Sequence, residues 1–135
     1  MWCCLVGSEM CIRDRTFSWY IAGKVFKWMI NLGGLDYFEK QNKLKASLLY
    51  NFIDNSDFYE NSIDSSSRSI MNVPFNLREP MFEKKFLSEA LNNGLLNLKG
   101  HRSVGGMRAS IYNAMPLEGV KDLIKFMDYF KSKNN

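Results

Sequence analysis

The chain has 135 residues, enough for one ordinary domain; 46% are hydrophobic and 14% aromatic, which excludes disorder by composition. The net charge of +4 is too small to indicate nucleic acid without a clustered basic patch. No apolar run is long enough for a transmembrane helix, so no membrane partner is expected.

Met1 to Arg15 reads MWCCLVGSEMCIRDR. It lacks the basic start, apolar stretch and small-residue cleavage site of a signal peptide. Its apolar residues cluster rather than repeat, and Gly7-Ser8 interrupts them, so a helix is not expected. Leu5 to Asp14, LVGSEMCIRD, resembles the translation of a transposase-type sequencing adaptor. Residues 1–15 are therefore expected to be a non-native segment, and residues 16–135 the domain proper, from a gene cut at an assembly edge. Cys3, Cys4 and Cys11 all lie in that segment and the single histidine is His101, so no metal site is expected. A cysteine-free remainder suits a reducing cytosol.

From Thr16 the predicted elements follow in order. Phe17, Ile21, Val25, Trp28 and Leu32 fall at helical spacing, and Gly33-Gly34 supplies a stop. A second helix is predicted over 35–52, with Leu35, Phe38, Leu44, Leu48 and Phe52 inward and its lysines outward. Phe58-Tyr59 starts a short strand, and 61–67 is a polar loop. Met71, Val73, Phe75 and Leu77 alternate with Asn72, Pro74 and Asn76, a strand in which Pro74 suggests an edge or a bulge. Pro80 opens a helix with Phe82, Phe86, Leu87, Ala90 and Leu91 inward, stopped at Gly94. Short strands are predicted over 95–98 and 109–115. Pro116 opens the last helix, with Val120, Leu123, Ile124, Met127 and Phe130 inward and Lys131 and Lys133 at its end. The order α-α-β-β-α-β-β-α predicts an α+β domain, a mostly antiparallel sheet covered by helices.

The chemically informative segment is Gly100 to Arg108, GHRSVGGMR. It gathers the only histidine and two arginines around a Gly-Gly pair that lets the backbone turn sharply. Arg102 can offer forked donors to a phosphate with His101 beside it, and Arg108, at the start of a strand, can grip a carboxylate. A solvated turn is the alternative reading of the same residue types. Elsewhere Trp19 and Trp28 read as packing, and the lysines at 24, 27, 40, 43 and 45 as a solvated face. Asp54, Asp57 and Asp64 lack metal-loop spacing, and Ser65 to Ser67 has no base placed for it. No phosphate-loop or dinucleotide motif is present. An RNA-binding module would need an aromatic strand or a clamp loop that the chain lacks.

GHRSVGGMRASIYNAMPLEGV (Gly100 to Val120) resembles the C-terminal end of the phosphoserine aminotransferases, class-V members of the fold-type I pyridoxal-phosphate enzymes. DNSDFY (Asp54 to Tyr59), SIMNVPF (Ser69 to Phe75) and TFSWY (Thr16 to Tyr20) are similar to that family as well. The resemblance implies the small C-terminal domain with its leading helix. It implies amino transfer between glutamate and 3-phosphohydroxypyruvate for serine synthesis, with pyridoxine synthesis as a second role in many bacteria, in a cytoplasmic homodimer. It implies that His101 and Arg102 bind the substrate phosphate or the distal carboxylate of glutamate, and that Arg108 binds the α-carboxylate. Ser103 stands where relatives often have an apolar residue. By the same resemblance the Schiff-base lysine, the aspartate on the pyridine nitrogen and the aromatic residue on the ring lie upstream. No catalytic and no cofactor-binding residue is then expected in this chain, and alone it should be inactive. The second reading is a stand-alone domain that binds a phosphorylated metabolite without catalysis.

Overall fold

The computed structural model describes residues 3–101 and 105–134, with residues 3–15 described by backbone alone. The chain divides into two units, Met1–Glu39 and Lys40–Asn135. Four α-helices, α1 (Cys3–Asn31), α2 (Gly34–Asp54), α3 (Glu83–Asn92) and α4 (Leu117–Asn134), accompany three strands, β1 (Tyr59–Glu60), β2 (Asn72–Leu77) and β3 (Met107–Ser110). The strands form one antiparallel sheet in the order β1-β2-β3. The α+β class holds, with one strand fewer than the sequence suggests.

In the first unit, α1 runs straight through Gly7-Ser8, where no helix was expected. Each of those residues costs under about 1 kcal/mol against alanine, and extending a formed helix is far cheaper than nucleating one. Trp28 and Tyr37 pack their rings on Phe38, at 5.1 and 5.4 Å between centroids. Trp19 and Phe26 are more than half exposed.

In the second unit, the buried face of α2 is Asn42, Lys45, Ala46, Leu49, Tyr50 and Ile53. Leu44 was expected inward and is exposed, whereas Lys45 was expected outward and is only 2% exposed. The helix is rotated from the predicted face because Lys45 has partners that an apolar side chain could not use. Its Nζ donates to the carbonyls of Ile111 (3.2 Å), Tyr112 (2.9 Å) and Met115 (3.0 Å). Burial lowers its pKa. The same contacts explain why β3 covers Met107–Ser110 rather than 109–115. Ile111 N–H still reaches Met71 O (2.8 Å), after which the carbonyls turn to the ammonium.

The predicted strand over 95–98 is also absent. The C-terminal end of α3 closes with Gly94 N–H on Leu91 O and Leu95 N–H on Ala90 O, a Schellman motif that needs the positive φ of Gly94. Asn97, itself at φ 60°, bends the chain again, and only Lys99 pairs with Met107. Pro74 lies in the central strand, not at an edge. It stands opposite Arg108 of β3, and β1 reaches only Asn76 and Leu77 of β2. Its carbonyl is met by Asn61 Nδ2 at 2.7 Å, so the missing N–H interrupts no ladder with β1.

The core lies on one face of the sheet. Val73, Phe75 and Leu77 of β2 point into it with Met107 and Ala109 of β3. Phe86 of α3 packs edge-on against Tyr59, Phe75 and Phe130. Leu91, expected inward on α3, is exposed, and Phe126 of α4, not predicted, is buried. Tyr59 is buried and donates its hydroxyl to Met127 O at 2.8 Å, which ties the sheet to α4.

Lys45→Met should destabilise the second unit by about 2–3 kcal/mol, since it leaves buried carbonyls without a donor; the urea midpoint of the 135-residue chain reads this. Burial and, secondarily, the charge of Asp128 raise the Tyr59 pKa. An unfolded tyrosine ionises near pH ~10 while the folded one stays protonated, so this stability is present below pH ~10 and is lost as pH rises above it. Tyr59→Phe should cost about 1 kcal/mol at neutral pH and flatten the alkaline decline, read from urea melts between pH 8 and pH ~11. The raised pKa of Tyr50, due first to burial, leaves a residual slope in that variant.

Candidate functional site

The face of the sheet away from the core carries Asn72, Pro74 and Asn76 on β2 and Arg108 and Ser110 on β3, as strand alternation requires. A cleft of about 280 Å³ opens on this face. Arg108, Pro74 and Asn76 form its floor, Asn61 to Ile63 one wall, and Gly100, His101 and Gly105 another. The second wall is a backbone loop closed at its base. Gly100 N–H donates to Gly106 O (2.9 Å) and Gly105 N–H to His101 O (2.8 Å). Gly106 stands at φ +63°, and a Cβ there would meet Asn76 Oδ1 at 1.9 Å, so only glycine fits between the strand and the loop.

The structure brings together two of the three predicted site residues. His101 and Arg108 line the same cleft. Arg102 falls outside the described residues, as does Ser103. Arg108 is half-buried, its backbone N–H held by Leu98 O at 2.7 Å. Its Nε is buried and has no hydrogen-bond partner among the described residues. A buried donor without an acceptor costs about 1–3 kcal/mol, a cost removed when a ligand oxygen accepts from it. The cleft thus carries a cationic side chain among its lining residues, which suits a carboxylate or phosphate.

Asn61, Pro74 and Asn76 line the cleft and were not singled out from the sequence. The signal was present: the alternation that put Val73, Phe75 and Leu77 in the core necessarily put Pro74 and Asn76 on the opposite face. Asn61 carried no such signal, because its place depends on the loop that folds back over β2. Among the described residues no group of histidine, cysteine and acidic side chains could hold a metal ion. Among them, too, no helix is long and apolar enough to cross a membrane. Among the described residues no lysine lines the cleft, and the buried Lys45 has its ammonium committed to backbone carbonyls.

Residues 14–123 match the model of the class-V aminotransferases. The chain belongs to the class-V aminotransferase family. Among the curated relatives, the phosphoserine aminotransferase of Acinetobacter baumannii (strain ACICU) is 60% identical over 128 residues. That match covers 95% of this chain and 36% of the relative. The phosphoserine aminotransferase of Idiomarina loihiensis is 57% identical over 93% of this chain. The solved phosphoserine aminotransferase of Bacillus circulans subsp. alkalophilus superposes with a TM-score of 0.85 at 45% identity, over 88% of this chain and 33% of that one. A pyridoxal-phosphate-bound phosphoserine aminotransferase from Trichomonas vaginalis gives a TM-score of 0.78 at 40% identity. The chain spans about a third of the length of the relatives it matches. As a class-V aminotransferase segment, it carries the α+β unit with the Arg108 cleft.

Gly106→Ala should distort this cleft. The added methyl meets Asn76 Oδ1 in a backbone conformation that costs an L-residue roughly 1–2 kcal/mol. Amide shifts confined to Asn76, Gly100 and Met107 in a heteronuclear NMR spectrum, with a lowered urea midpoint, are the expected result.

Proposed function

We propose that residues 16–135 form the substrate-anchoring part of a phosphoserine transaminase, which moves an amino group between glutamate and 3-phosphohydroxypyruvate for serine synthesis. The observation that carries this reading is that Arg108, whose buried Nε has no hydrogen-bond partner among the described residues, lines a cleft shared with His101, in a chain this similar to phosphoserine aminotransferases. In this reading Arg108 takes the α-carboxylate common to both substrates. His101 and Arg102 take the group at the other end, a phosphate in one substrate and a carboxylate in glutamate. One pocket for both distal anions lets a single site serve both half-reactions in turn.

Pyridoxal phosphate supplies the electron sink in such an enzyme when bound. The described cleft residues do not fit it, because they include no amine to trap its aldehyde. This chain's own contribution is to bind and orient anions. The fuller reading is a cytoplasmic homodimer, with pyridoxine-pathway chemistry as a second use. Residues 1–15 are read as a non-native segment, and sequencing the locus upstream of Thr16 tests that directly.

The functional test is a complete enzyme in which residues 16–135 replace the matching segment of the Acinetobacter baumannii relative. It should transaminate phosphoserine with 2-oxoglutarate. Arg108→Lys keeps the charge but loses the planar fork, so kcat/KM should fall roughly ten- to hundredfold in both half-reactions. Arg102→Ala should cost a similar factor for the phosphorylated keto acid and weaken glutamate as well. A defect of Arg108→Lys confined to the phosphorylated substrate would move Arg108 to the phosphate end and overturn the assignment. A chimaera that binds phosphoserine without transaminating would favour a non-catalytic binding domain.

A further inference from the structure

The wall of the cleft formed by Asn61 to Ile63 is a loop, yet it is tied to α2 through a single side chain. Arg68 Nη1 and Nη2 donate to Asp54 Oδ2 (2.5 Å) and Oδ1 (2.9 Å), a two-pronged pair at the C-terminal end of α2. The guanidinium also lies over the Tyr50 ring, 4.7 Å from its centroid. Tyr50 is fixed in turn, its hydroxyl donating to Ser69 O at 2.9 Å. With the head group held on two sides, Arg68 Nε donates to Ile63 O at 3.3 Å. Ile63 N–H donates to Asn61 Oδ1 (2.8 Å), and Asn61 Nδ2 donates to the carbonyl of Pro74 (2.7 Å), the residue opposite Arg108 in the sheet. Hydrogen bonds therefore run without a gap from α2 through the loop to the strand beside the cleft's cation.

An exposed ion pair contributes little to stability by itself. The Arg68–Asp54 pair differs in geometry rather than strength: fork, ring and carbonyl contact fix the guanidinium in one orientation, so the loop inherits a fixed position. We propose that Arg68 is a positioning residue for the anion cleft, holding Asn61 to Ile63 at the spacing from Arg108 that an amino-acid or keto-acid substrate needs. The proposal rests on the reading of the cleft as the substrate site. Arg68 touches no ligand in this scheme and acts through Ile63 and Asn61.

The test uses the full 135-residue chain and has two readouts. In Arg68→Gln, amide exchange at Ile63 should quicken roughly three- to tenfold while the thermal midpoint barely moves, because the tie is lost and the core is not. In NMR titrations with O-phospho-L-serine, the Kd should rise by a similar roughly three- to tenfold factor, and Arg68→Lys should recover only part of it, since charge alone cannot make the fork. Unchanged exchange at Ile63 would overturn the relay. So would an unchanged phosphoserine Kd in Arg68→Gln beside a weakened one in Arg108→Lys, which is failure of the positioning role alone. If phosphoserine does not perturb even the unaltered chain, the site reading has failed and the proposal falls with it.

Discussion

Everything in the second unit depends on β2 having two unlike faces. Val73, Phe75 and Leu77 give it an almost fully buried side, while Asn72, Pro74 and Asn76 give it a polar one. Strand pleating allows no compromise, since a slip of one residue would put the asparagines in the core and the phenylalanine in the cleft. The cost of burying unpaired amides holds the register. That register places Pro74 opposite Arg108 and so decides where the cleft's cation stands.

The second constraint is a buried charge. Lys45 spans from α2 to the segment after β3 and satisfies carbonyls that no strand partner could reach. A buried ammonium is tolerable only with such a set of acceptors. The result is a chain that leaves the sheet in a defined direction after Ser110 and enters α4 at Leu117 without a further strand. Asn42 stands in the same neighbourhood, donating to Asn113 Oδ1 at 2.7 Å, with its own oxygen buried and without a hydrogen-bond partner among the described residues. The polar patch between α2 and residues 111–115 thus complements the apolar core around Phe86.

The cleft is built almost entirely from backbone-controlled parts. Its floor is a sheet, one wall is a loop closed by two backbone hydrogen bonds, and the other is a loop tied to α2 by Arg68. Under the proposed anion-binding role, walls held in this way lower the ordering entropy charged to a ligand. The positive-φ glycines at 105 and 106 serve that end, since they let the backbone close tightly without a side chain in the way.

Most of the fold was legible in the sequence. The breaks at Gly33-Gly34 and Gly94, the alternation of 71–77 and the helix after Pro116 are local signals, and the structure follows them. Resemblance in Gly100 to Val120 pointed to the family, and comparison with known proteins places the chain in it. What the sequence could not show was set by contacts between distant residues. The rotation of α2 depends on carbonyls at 111, 112 and 115, some 66 to 70 positions beyond Lys45. Periodicity scores a lysine as solvated whatever its partners, so Lys45 was assigned to the wrong face. The short β3 and the central place of Pro74 have the same origin. Intrinsic preference describes one residue and its neighbours, whereas a hydrogen bond across the fold belongs to a pair that only tertiary structure brings together.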